Sequence, residues 1–262
     1  MNISRIKAIL LQELFITKRS LEVIVDLPYF SIQTIMAFGL FSLYLSTNNP
    51  KNGAEYLITG LLLWEIIRIT QYSISVAALW NIWSRNLSNM FITPLKLREY
   101  FIAQMVSGVI KTTTILIVIS VLTSVLFKFN LLSLGIINLI LFFVNLTIFG
   151  WSVGIMIVGF IFRFGTRIQS LAWGTVFIFQ PLCATLFPVR ILPPFLQTIA
   201  YLFPPTYVFE AARASIVSPT TKWEQMIISF TLNIIYLFLS FWSFNMMFKK
   251  SKETGQFARN EN

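Results

Sequence analysis

This chain has few side chains with which to do chemistry. It holds no histidine, one cysteine (Cys183) and one aspartate (Asp26). No Ser-His or Cys-His pair can be assembled, no His/Cys metal cage is available, and no disulfide can close within the chain. Cys183 sits in an apolar run and reads as a small packing residue. Neither Gly-x-x-x-x-Gly-Lys-[Ser/Thr] nor any Gly-Lys pair occurs, so the chain carries no P-loop and binds no ATP that way.

The groups that remain fall into three sets. Glu65, Arg68 and Lys111 are ionisable residues inside apolar stretches, where a charge is costly and faces protein or water. Glu65 and Arg68 are three apart and can pair on one helix face. Two readings stand for the trio. It is an ion-pair cluster locking neighbouring helices, or it lines a substrate route and meets an anionic or zwitterionic headgroup.

The second set is a polar island, residues 84–100, between two long apolar runs. It carries Arg85, Lys96, Arg98 and Glu99 and breaks at Thr93-Pro94. Leu87, Met90 and Phe91 stand at i, i+3 and i+4, so a short helix there has a narrow apolar stripe. A loop that only reversed direction would not need one, and the island reads as a grip for a soluble partner.

The third set is residues 188–213, too apolar for a solvated loop. Pro193-Pro194 and Pro204-Pro205 cut it into pieces too short to span. Two short re-entrant or interfacial helices are expected, near residues 195–202 and 207–215. They form a cap over the outer end or a gate at an exit, with Arg190, Glu210 and Arg213 near the outer headgroups.

The elements that must position these groups are set by composition. Of 262 residues, 56% are hydrophobic and 11% charged, and the mean hydropathy is +0.75. Soluble domains hold about 25% charged residues, so the chain reads as an all-α membrane protein. A β-barrel would show short alternating segments instead.

Residues 1–27 form an amphipathic helix, with Ile3, Ile6, Leu10, Leu14 and Leu21 on one side and Arg5, Gln12 and Arg19 on another. Glu13 falls near the apolar edge. The helix lies on the membrane or packs beneath the bundle, and Pro28 separates it from the first span. After Arg5 and Lys7 the apolar run is cut by Gln12-Glu13, too soon for a secretory h-region, which argues against a cleaved signal peptide.

Six crossings are expected over roughly 29–45, 56–83, 101–127, 134–162, 168–187 and 226–248, within one domain of residues 28–248. A polar, basic tail follows at 249–262. Gly150, Gly154 and Gly159 allow close helix packing, and Gln180-Pro181 predicts a kink in the fifth crossing.

The net charge of +10 is explained by cytoplasmic loops rather than nucleic acid. With the N-terminus inside, thirteen of the twenty basic residues fall on the inner side and five on the outer. Both termini and the 84–100 island are therefore expected in the cytoplasm.

Two stretches carry a family resemblance. They are Arg85 with Phe91-Ile92-Thr93-Pro94-Leu95, and Leu192-Pro193-Pro194-Phe195-Leu196-Gln197 with Phe203-Pro204-Pro205-Thr206-Tyr207-Val208-Phe209-Glu210-Ala211-Ala212-Arg213. With the six-span pattern, the chain resembles the membrane subunit of type-2 ABC exporters over nearly its whole length. It departs from the family at Asn86-Leu87-Ser88-Asn89, where members often carry a Gly-Thr-Leu-Glu-like stretch.

The resemblance implies a non-catalytic permease that exports a lipid-like, drug-like or glycoconjugate substrate through a prokaryotic plasma membrane. It implies a separate ABC ATPase subunit that holds ATP and Mg, and a second permease copy, a homodimer by expectation. Arg85, Leu87, Met90, Phe91, Thr93 and Pro94 would form the coupling helix. Pro193, Pro194, Pro204, Pro205, Glu210 and Arg213 would form the external re-entrant gate. The rival reading is an ion-coupled secondary transporter or channel using Glu65, Arg68 and Lys111. A membrane-embedded enzyme fits poorly with one aspartate and no histidine.

Overall fold

The computed structural model describes residues 2–48 and 53–255, and every regular element among them is helical. The first half comprises α1 (Ile3–Arg19), α2 (Leu21–Asn48), α3 (Gly53–Trp83), α4 (Leu87–Ile92) and α5 (Leu97–Phe127). The second comprises α6 (Ile136–Phe164), α7 (Leu171–Leu182), α8 (Pro194–Ala200), α9 (Pro204–Val217) and α10 (Trp223–Glu253). Four of these helices are long and apolar enough to cross a membrane: α2 over Val23–Tyr44, α5, α6 and α10.

The bundle is built around α3, which is buried from Leu57 to Leu79 on every face. α2, α5, α6, α7 and α9 enclose it. This position explains its composition. Thr59, Glu65, Arg68, Gln71 and Ser75 would be costly against lipid, but here protein groups surround them. Glycine brings the neighbours close. A Cβ on Gly150 of α6 would overlap the Thr70 hydroxyl, and one on Gly154 would stand 3.0 Å from Ile74 Cβ. Gly159 meets the Phe244 backbone of α10 equally tightly. The small-residue spacing is used for packing, as its pattern implies.

Three boundaries depart from the sequence reading. The N-terminal helix stops at Arg19 rather than near residue 27, because Ser20 turns extended (φ −85°, ψ 109°) and α2 begins at once. Pro28 lies inside α2 instead of before it. There its missing N–H forgoes one helical hydrogen bond, the one to the carbonyl four residues earlier. The fifth apolar stretch is not one helix. α7 has 12 residues, about 18 Å at ~1.5 Å per residue, and Pro181 ends the helix there rather than kinking it. Ala184 then adopts a left-handed conformation (φ 51°) that turns the chain back.

α1 packs chiefly along α5. Its buried line is Ile6, Ile9 and Glu13, while Ile3, Leu11, Leu14, Phe15 and Leu21 nearby are exposed. The apolar stripe read from the sequence is thus split: Ile6 faces the protein, and Ile3 and Leu14 face outward. The basic ends of several helices meet at one pole of the bundle. Asn2 and Arg5 reach Glu99, Phe101 packs on Phe244, and Arg163 donates to Thr254 Oγ1 at 3.0 Å. At the other pole Asn138 of α6 donates to Ser215 and to the Pro219 carbonyl, both at 3.3 Å.

Candidate functional site

α2, α3 and α7 leave a cleft of about 220 Å3 between them. Asp26, Phe30, Thr34 and Phe38 follow one another at every fourth position of α2 and so share one face. Trp64, Glu65, Arg68 and Tyr72 supply the α3 wall, and Trp173, Phe177 and Gln180 the α7 wall. Gln71 ties two walls together, donating to the Ala172 carbonyl at 3.0 Å and to Ser75 Oγ at 2.6 Å. Trp83 stacks on Trp173, with ring centroids 6.1 Å apart, where α3 ends and α7 begins.

Glu65 and Arg68 pair as their spacing implies. Arg68 donates to Glu65 Oε2 from Nε at 2.9 Å and from Nη2 at 2.6 Å. Nη2 also donates to Ser31 Oγ at 2.7 Å and to the Leu27 carbonyl at 3.2 Å. The Ser31 hydroxyl in turn donates to Glu65. Two charges leave water here, and these extra bonds offset part of that cost. The pair therefore fastens α3 to α2.

Lys111 does not join them. Its ammonium donates to Glu13 Oε2 of α1 at 3.1 Å, and Gln104 donates to the other Glu13 oxygen at 3.0 Å. Gln104 and Lys111 are seven residues apart, two turns of α5, so they share the face that carries α1. The expected three-residue cluster is therefore two separate buried pairs on different faces of the bundle. Glu13, a flaw in the amphipathic pattern, fastens the middle of α1 to α5.

The 84–100 island is half platform and half clasp. α3 ends with Arg85 in a left-handed conformation (φ 53°). Arg85 N–H bonds the Ile82 carbonyl at 3.0 Å and Asn86 N–H the Asn81 carbonyl at 2.9 Å, the double closure of a Schellman turn. α4 follows, six residues long, and the Thr93 hydroxyl closes it on the Met90 carbonyl. Met90, expected on an outward stripe, is only 6% exposed and lines a groove against Ile9 and Gln12 of α1. Ile92 is 82% exposed instead. Arg85, Thr93 and Pro94 are also exposed; the side chains of Leu87 and Phe91 lie outside the described residues.

α1 grips this platform from the side. Arg5 donates to the Pro94 carbonyl and to Glu99 Oε2, and Asn2 N–H donates to Glu99 Oε1 at 2.8 Å. Gln12 donates to Asn81 Oδ1 at 3.0 Å, just before the Schellman turn.

At the opposite pole two short helices lie close to where they were expected, but the prolines start them rather than precede them, so α9 begins at Pro204 instead of near residue 207. Pro194 opens α8 behind Pro193, and Pro204 and Pro205 occupy the first turn of α9. Their missing N–H groups would lack partners there anyway. Glu210 and Arg213 are not turned toward headgroups. Arg213 is 5% exposed and donates from Nη2 to the Ala184 carbonyl and Glu210 Oε1, at 2.8 and 2.9 Å. Its Nη1 reaches the Thr185 carbonyl at 3.3 Å, and Glu210 also accepts the Val189 N–H at 2.9 Å. The pair clamps the turn after α7; Arg190 is exposed.

Sequence reasoning does not single out Glu13, Asp26, Gln71 or Tyr72 as contributors. The four-residue spacing from Asp26 through Phe30 to Phe38 is the signal that could have found the cleft. Among the described residues no group of His, Cys, Asp and Glu is arranged to hold a metal ion. A family model described as ABC-2 type transporter matches residues 5–217 of the chain. No curated protein matches it.

Proposed function

We infer, because the chain belongs to the ABC-2 type transporter family, that it is the permease subunit of an ATP-driven exporter. The observation that carries this reading is the platform at α4. A six-residue helix stands at one pole with Ile92 exposed, held laterally by α1 and continuous with the turns that end α3 and begin α5. It offers a knob to a soluble partner and firm connections to three helices. The chain has no P-loop, so a separate ATPase binds ATP and Mg and supplies the energy.

In this reading two copies pair, each with an ATPase. Closure of the ATPases on ATP displaces α4, and the α1 clasp passes the displacement to α5 and the end of α3. α2, α3 and α7 then shift against one another and expose the cleft to the far side. α3 crosses within the bundle, and α7 with the α8–α9 segment forms the fifth crossing and its external cap, giving six crossings with both termini cytoplasmic. The cargo is lipid-like, drug-like or a glycoconjugate, and the setting is a prokaryotic plasma membrane. The ion-coupled carrier loses its basis, since Lys111 pairs with Glu13 rather than with Glu65 and Arg68.

Co-purification with the ATPase tests the reading. Ile92→Asp leaves the permease in the membrane and lowers recovery of the ATPase at least fivefold. Unchanged recovery overturns α4 as the docking element.

A further inference from the structure

The cleft between α2, α3 and α7 has a charge balance that the exporter reading leaves unused. Its charged side chains are Asp26, Glu65 and Arg68, a formal balance of one negative charge. Arg68 is the group that would receive an anionic head. Its Nε and Nη2 are instead committed to Glu65, Ser31 and the Leu27 carbonyl. Drawing it to an anion would leave Glu65 buried without its cation, a costly exchange.

Asp26 is placed differently. It is half-buried and accepts the Tyr72 hydroxyl at 3.1 Å, and among the described residues no lysine or arginine forms an ion pair with it. A carboxylate has about four acceptor positions, so one phenol leaves most of its capacity open. Phe30 follows it by one turn and Phe38 by three, with Trp173 and Phe177 across the cleft on α7. The faces of such rings carry partial negative charge and attract cations. Asp26 to Phe38 covers roughly 18 Å of helix, long enough for a charged head at one end and an apolar body along the rings.

We propose that this cleft binds hydrophobic organic cations, with the positive centre at Asp26 and the apolar body along Phe30, Phe38 and Phe177. This names the substrate class of the route above and rests on that reading for the onward transport. The binding step is measurable without it.

The full chain in detergent is titrated with tetraphenylphosphonium, following the fluorescence of tryptophans that include Trp64 and Trp173 in the cleft wall. A separate titration uses tetraphenylborate, an anion of nearly the same size and shape. Tetraphenylphosphonium is expected to bind saturably, and at least tenfold more weakly in Asp26→Asn, which keeps an acceptor for Tyr72. Phe177→Ala, at an exposed ring, is expected to weaken it about as much. Unchanged tetraphenylphosphonium affinity in both variants, or tighter binding of tetraphenylborate by the natural chain, overturns the proposal. Either result leaves the exporter reading standing. Retention of the ATPase by Ile92→Asp overturns the docking assignment and leaves the cation site untouched.

Discussion

A buried charge is only as stable as its partner, and this chain has few partners to spare. Glu13 and Lys111 show the consequence. Their side chains are 4% and 12% exposed, and each is the other's ion-pair partner. Removing one member of such a pair costs roughly 3–5 kcal/mol, while replacing both by apolar groups is often neutral. Lys111→Met is therefore expected to lower the thermal unfolding midpoint of the solubilised protein. Adding Glu13→Leu to it should recover most of the loss. If the double variant melts no higher than Lys111→Met alone, the pair is not the fastening that the geometry describes. Sequence spacing puts Lys111 with Glu65 and Arg68 because residues on neighbouring helices look adjacent when the helices are drawn as a hairpin. The rotation of α5 decides otherwise, by aiming Gln104 and Lys111 at α1.

Helices in this bundle approach as closely as their smallest residues permit. Gly150 of α6 faces Thr70 and the Ile67 carbonyl of α3, so a methyl group there forces the two helices apart. Overpacking of this kind costs about 1–3 kcal/mol. Gly174 of α7 has nothing within 4 Å of a Cβ. Alanine there replaces a helix-interior glycine, which gains about 0.5–1 kcal/mol. Thermal melts should thus move in opposite directions, down for Gly150→Ala and level or up for Gly174→Ala. Equal behaviour of the two would contradict the α3–α6 contact. The pattern Gly150, Gly154, Gly159 was readable as a packing motif, but its partners were not. α4 is the converse case. Its helix was legible from the spacing of Leu87, Met90 and Phe91, yet the side that remains free was not. With Met90 covered by α1, Ile92 is exposed among the described side chains of α4.

For the whole molecule the distribution of basic residues predicts an orientation that surface labelling can check. Cys183 is fully buried and is the one cysteine of the chain, so a Cys183→Ala background removes it at small cost. Single cysteines at Asn89 and Lys250 are expected to resist a membrane-impermeant maleimide in intact cells and to react after lysis. Cysteines at Lys128 and Thr220 are expected to react in intact cells. Labelling of Asn89→Cys from outside would invert the topology and remove α4 from the reach of a cytosolic ATPase.

The sequence alone determined that this is an all-α membrane chain with no histidine chemistry and no nucleotide loop, because composition and residue absences do not depend on packing. It also indicated that a short helix follows each proline pair, though not where each one starts. Proline suits a first helical turn, where its missing N–H has no partner to lose, so Pro194 opens α8 and Pro204-Pro205 open α9, three residues ahead of the start read from the sequence. Tertiary structure alone decided which polar groups meet between helices. Side-chain pairing across helices depends on how each helix is rotated about its axis, and no spacing within one helix reports that rotation. That is why Lys111 went to Glu13, why Arg213 turned inward to the Ala184 and Thr185 carbonyls, and why Asp26 came to face an aromatic cleft.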